Sequence, residues 1–204
     1  DWVAPTLSSR DQLLYHQALL PNPVLKLEVI EALATRFKQG EVSPHDPASL
    51  FILTQLIQEG VIERRIATPP TNFPQVRKAG VELLGVIGGD QAVSILLKVL
   101  STDPEPLVLA EAIRSLRKQK APLTPSIFSA LENLFSKVVL PKTEATLAYE
   151  CLLYLRETYP LTLLSYPSEV FQYVILILEQ PFPSSVKQLA REVISRWIQP
   201  YERE

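Results

Sequence analysis

Methionine is absent from all 204 residues, position 1 included. That is expected either of a processed mature protein, such as one whose secretory signal has been cleaved, or of a piece of a longer chain. A single cysteine excludes an internal disulfide and any zinc cluster built on cysteines. Cys151 lies in the apolar run AYECLLYL and reads as a small buried hydrophobe rather than a nucleophile. Only two histidines occur, and neither one-signed charge nor a long hydrophobic run is present. The net charge of −2 argues against a dedicated nucleic-acid binder and gives no support to a polybasic membrane anchor. The longest strongly apolar stretch, 170–178, falls short of the about 18 residues that a spanning helix needs, so no transmembrane segment is expected. Glycine is scarce too, with six residues, and β-type alternation is hardly visible.

What is present is a hydrophobic content of 47%, enough for a buried core, and eighteen well-placed prolines. Proline is tolerated in the first turn of a helix and breaks its interior, so the intervals between prolines read as helices. The expected elements are 8–20, 23–38, 46–59, 74–87, 90–101, 105–119, 124–138, 142–158, 167–179 and 183–198. The fold class is all-α. The stretch 60–73 is the longest irregular segment, and Asp46 and Thr124 are placed to cap the helices that follow them.

The most specific segment is Val76–Asp103, VRKAGVELLGVIGGDQAVSILLKVLSTD. Val76, Ala79, Gly80, Leu83 and Leu84 share one helical face, as do Val93, Leu96, Leu97 and Leu100 in the next helix. Gly88-Gly89 allows a positive-φ reversal between them, and Asp90 stands where a side-chain oxygen can cap the second helix. Related apolar sets recur. Leu25, Val29, Ile30 and Leu33 align with Val76, Gly80, Val81 and Leu84. Val108, Ala112, Ile113 and Leu116 follow, then Leu147, Cys151, Leu152 and Leu155, then Val186, Ala190 and Ile194. Start-to-start spacings are 51, 32, 39 and 39 residues, and a small residue recurs at the second position (Gly80, Ala112, Cys151, Ala190).

This pattern resembles the HEAT repeat family, most clearly over 74–103. The resemblance implies a right-handed α-α superhelix (a HEAT/ARM-like solenoid) of about four helical pairs plus terminal helices, forming one domain over 1–204. It also implies a non-catalytic scaffold or adaptor that binds a protein partner on its concave face. In this family the second helices of the pairs line that face, which here nominates Gln55, Gln58, Glu59, Ser94, Lys98, Ser129, Glu132 and Asn133. Its mild, mixed charge suits a protein or peptide better than DNA. Lys26, Arg77 and Lys187 each sit one position into a repeat helix, where the family's basic residue pairs with an acidic residue of an adjacent unit.

No catalytic, cofactor-binding or metal-ligating residue is nominated, and no cofactor is expected. HEAT-like di-iron hydroxylases carry paired His-Glu dipeptides, whereas His16 precedes Gln and His45 precedes Asp. Gly85-Val-Ile-Gly88-Gly89 lacks the Lys-Ser/Thr of a phosphate loop. A HEAT-like enzyme or subunit, in the manner of bilin lyases or DNA glycosylases, and a segment of a larger solenoid stand as alternatives. An apolar face on the first helix (Leu13, Leu14, Leu19, Leu20) would favour the segment, because terminal repeats carry a polar outer face. The last helix has such a face in Lys187, Gln188, Arg191, Glu192 and Arg196. Arg114–Lys120 reads as a cationic helix end opposing the macrodipole, or as a site for an acidic partner. Arg64-Arg65 is a similar case. Helix 167–179 is apolar nearly all round, so it is expected to be buried between 142–158 and 183–198, or to leave a face for a partner or a second copy.

Overall fold

Proline opens six of the ten helices found among the described residues. The computed structural model describes residues 5–59, 72–136, 144–158 and 167–198, and those residues include no strand. The helices are α1 (Ser9–Leu19), α2 (Pro23–Lys38), α3 (Pro47–Gln58), α4 (Pro74–Ile87) and α5 (Asp90–Thr102). Then follow α6 (Pro106–Lys118), α7 (Pro125–Ser136), α8 (Ala145–Thr158), α9 (Pro167–Glu179) and α10 (Ser184–Ile198). Each corresponds to an expected element within three residues at either end, since proline supplies both the helical φ and the missing donor at N1. Residues 60–71, including Arg64-Arg65, lie outside the described residues.

Side-chain caps fix several starts. Asp46 Oδ2 accepts the Ser49 N–H at 2.8 Å, and Thr124 Oγ1 accepts that of Ile127 at 3.3 Å. Asn22 Oδ1 takes the Val24 N–H at 2.9 Å. Asp90 is not a cap. Gly88 and Gly89 take φ of 72° and 88°, and Gly89 occupies the cap position with no side chain. The reversal uses both glycines, so Asp90 becomes the first helical residue, with its charge in the first turn of α5.

The chain falls into two compact units, Asp1–Ser115 and Leu116–Glu204. In the first, α1 packs on α3, α2 on α4 and α3 on α5, besides the contacts between successive helices. Two rows result, α1-α3-α5 and α2-α4, with Leu33, Leu50, Leu53, Val81, Leu84 and Leu96 sealed between them at 0% exposure. Each such leucine is worth roughly 1.5–3 kcal/mol relative to exposure. A methyl on Gly80 would lie 2.7 Å from Ile57 Cγ1, so the small residue at this position does serve close approach. On α5 the buried stripe is Ala92, Ile95, Leu96, Val99 and Leu100, rotated from the expected one. Val93 and Leu97 are only half-buried, because the small Ala92 lets that side of α5 face the core.

In the second unit α10 packs on α8 and α9. Leu147, Cys151, Leu152 and Leu155 are all buried as expected, as are Val186 and Ala190. Val193 replaces Ile194 in the core, and Ile194 is half-buried. The Trp197 indole N–H donates to the Leu155 carbonyl at 3.2 Å, and the Tyr154 hydroxyl to that of Ala121 at 3.0 Å. Helix α9 buries Val170, Tyr173, Val174 and Ile177 but leaves Ile175 and Leu176 about half exposed. It is therefore not enclosed on all sides, although Tyr173 also meets Phe128 of α7 edge-on at 5.9 Å.

A polar clasp ties α1 to α2, with Arg36 Nη1 donating to Asp11 Oδ1 at 2.7 Å and the Ser8 hydroxyl donating to Oδ2. Burial raises the Asp11 carboxyl pKa, but Ser8 and Arg36 outweigh it and hold the group below its ordinary value. A depressed folded value means stability present above the unfolded pKa of about 3.9 and lost as pH falls through the folded one. Asp11→Asn is therefore expected to lower the urea midpoint at neutral pH. That deficit should shrink as the medium is acidified below the carboxylate range, and a deficit constant with pH would contradict the clasp.

Candidate functional site

Charged side chains sort into those that hold helices together and those left facing outward. Lys26 is wholly buried; its ammonium meets Glu59 at 2.6 Å and donates to the Ala18 carbonyl. Arg77, 1% exposed, grips Asp103 through Nε at 2.7 Å and Nη2 at 3.2 Å, and donates to Asn72 at 2.6 Å. Two of the three expected ladder cations are thus paired across helices, while the third, Lys187, lies half-buried on α10. Glu59, nominated for the binding face, is instead the counter-ion of Lys26. A buried ammonium without an anion is costly, and Glu59 ends α3 at the point where it can reach inward.

The cationic run after Arg114 is partly structural as well. Arg114 pairs with Glu111 at 2.7 Å. Arg117 spans to Glu150 at 3.3 Å and Glu157 at 3.0 Å on α8. Lys120 follows the helix with φ of 53°, the left-handed conformation that ends it.

Four of the nominated residues come together in one place. Gln55 and Gln58 from α3 and Ser94 and Lys98 from α5 line a groove of about 750 Å³, within the size range of ligand sites. The helices run side by side from the same end: a methyl on Gly89, just before α5, would lie 3.2 Å from the ring of His45, just before α3. Phe51 and Thr54 on α3, and Asp90, Gln91 and Ile95 on α5, complete the lining. These five were not nominated. Their spacing carries a signal, because 51, 54, 55, 58 and 91, 94, 95, 98 are the same helical stripe on two helices. Phe51 is partly covered by Tyr15, with ring centroids 5.4 Å apart, and Ile95 is 6% exposed. The Thr54 hydroxyl donates to the Leu50 carbonyl at 2.7 Å.

Ser129, Glu132 and Asn133 are exposed on α7, in the second unit. The Asn133 amide donates to the Ser129 carbonyl at 2.8 Å. Partial desolvation, with the negative charge of Glu169 added, raises the Glu132 carboxyl above its ordinary value.

No catalytic constellation forms from the candidates the sequence offered. His16 and His45 are both exposed, one on α1 and one in the turn before α3. Cys151 is fully buried, and desolvation pushes its thiol up to about 12, far from a thiolate at neutral pH. Among the described residues no three His, Cys, Asp or Glu side chains group as metal ligands, and no helix is long and apolar enough to cross a membrane. Large apolar side chains are exposed near the start of the chain: Leu13, Leu19, Leu20, Val24 and Leu27, whereas Leu14 is buried. On α10, Gln188, Arg191, Glu192 and Arg196 are exposed, the polar face expected of that helix. Comparison with known families, curated proteins and solved structures returned no match to this chain.

Proposed function

We propose that this chain is a non-catalytic scaffold or adaptor of the HEAT-like kind, a right-handed stack of helical pairs that holds a partner protein on the face formed by its second helices. One observation carries the reading: α3 and α5 bring Gln55, Gln58, Ser94 and Lys98 to a common groove, while the ion pairs that knit the helices use other residues. The groove mixes amides, two hydroxyls, two opposite charges and apolar surface, a composition suited to protein recognition. Ser129, Glu132 and Asn133 form an exposed stripe of their own on α7, within the second unit.

The test is affinity capture with cross-linking from native extract, comparing wild type, Ser94→Trp, which fills the groove, and Glu31→Trp, which adds the same ring at an exposed position of α2. A near-stoichiometric partner held by wild type and Glu31→Trp but lost by Ser94→Trp is the expected result. Equal capture by all three would remove the groove from the binding face.

A second reading, a segment of a longer solenoid, is favoured by the exposed leucines at 13, 19 and 20 with Val24 and Leu27. That is the surface a neighbouring helical pair would cover.

A further inference from the structure

We propose that the α3–α5 groove takes an extended peptide segment of the partner in which one basic and one acidic side chain lie four residues apart, the basic one against Asp90 and the acidic one against Lys98. This rests on the scaffold reading above and specifies the occupant of its groove.

Asp90 and Lys98 are the charged groups of the lining, and they stand at opposite ends of the groove's α5 wall. Eight residues of helix separate them, a rise of about 12 Å. An extended chain advances about 3.3 Å per residue, so about four residues bridge the same distance. Residues i and i+4 of a strand also point to the same side, which lets both charges face the wall at once. At three or five residues the second side chain would point away.

The surface between the charges fits an extended backbone. Gln55 and Gln58 on one wall and Gln91 on the other carry amides that each donate and accept, and Ser94 adds a hydroxyl. A single extended segment has unpaired N–H and C=O groups along both edges, and amides on both walls can meet them. A helical ligand satisfies its own backbone and would demand a continuous apolar trough. Phe51 and Ile95 are the apolar side chains of the lining, and the methylenes of its glutamines and of Lys98 add to them, which suits one apolar side chain at position i+2. Nucleic acid is disfavoured because the single Lys98 is offset by Asp90.

The probes are dye-labelled, capped peptides in a Ser/Gln/Val background, carrying Lys and Glu two, four or six positions apart in both orders, with Lys/Lys and Glu/Glu versions of the four-residue spacing. Fluorescence anisotropy is expected to show the Lys/Glu peptide at spacing four binding wild type about tenfold tighter than the other spacings and the like-charged versions. Asp90→Lys should then prefer Glu/Glu, and Lys98→Glu should prefer Lys/Lys. Both positions are exposed, so a single cooperative thermal transition verifies that the variants are folded, with a slightly lower midpoint for Asp90→Lys because a cation there meets the positive end of α5. Absence of binding up to millimolar protein, indifference to spacing, or a preference that neither substitution switches would overturn the proposal. Partner capture separates the two levels. Loss with Ser94→Trp but not with Asp90→Lys or Lys98→Glu leaves the groove and removes the charge register, whereas no loss with Ser94→Trp removes both.

Discussion

Replacing Arg77 by methionine lowers the unfolding free energy by about 3–5 kcal/mol, the size expected when one partner of a buried ion pair is removed. Arg77 and Asp103 side chains are 1% and 2% exposed. Two parallel N–H donors of the guanidinium meet both carboxylate oxygens, and a third reaches Asn72. Methionine fills much of the space but leaves the Asp103 carboxylate buried with, among the described residues, only the Glu105 N–H, at 2.9 Å, to accept from. The penalty therefore comes from a stranded anion more than from a lost attraction. Arg77→Met/Asp103→Asn should recover a large part of the loss, because asparagine keeps an oxygen for the Glu105 N–H and removes the charge. Arg77→Lys should remain well below wild type, since an ammonium cannot reproduce the fork. Urea denaturation of the four proteins measures this. A double variant no more stable than Arg77→Met would assign the loss to packing and not to the unpaired charge.

That ion pair marks the boundary between what the sequence could tell and what it could not. Helix limits were legible because proline acts locally, through its own φ and missing N–H, and the repeat register was legible because periodicity is local too. Arg77 could be suspected as a ladder residue only through its place in the repeat. Its partner lies 26 positions away. Lys26 makes the same point more sharply. Apolar periodicity buries Leu25, yet Leu25 is half-exposed while Lys26 is at 0%, because Glu59 and the Ala18 carbonyl satisfy its ammonium from two other elements. Once Glu59 turns inward to that ammonium, it leaves the face where its polarity alone would put it. The groove follows the same logic. Each polar stripe was visible on its own helix, but which two stripes meet depends on α3 packing against α5. Phe51 was masked by its type, since an aromatic on an apolar helix reads as core, and only its spacing from Thr54, Gln55 and Gln58 places it on the groove stripe.

Gly85→Ala is expected to destabilise the chain by roughly 1–2 kcal/mol, against the sign that helix propensity alone predicts. In an ordinary helix interior the change would add about 1 kcal/mol of stability. Here α4 meets α6 at Gly85, and a methyl would lie 2.6 Å from Ser115 Oγ, 2.8 Å from its Cβ and 3.0 Å from its Cα. Rotating the serine side chain relieves only the first contact, and doing so breaks the hydrogen bond from Oγ to the Val81 carbonyl, 3.0 Å long and fully buried. The remaining contacts involve atoms that move only with the α6 backbone, so about 1–3 kcal/mol of overpacking outweighs the propensity gain. Ser115→Gly removes Oγ and Cβ together, leaving the 3.0 Å contact to be absorbed by a small shift. The double variant should then be more stable than the sum of the single effects, a coupling that urea midpoints resolve. If Gly85→Ala instead stabilises the protein, α4 and α6 do not approach at this pair as closely as the distances from Gly85 to Ser115 imply.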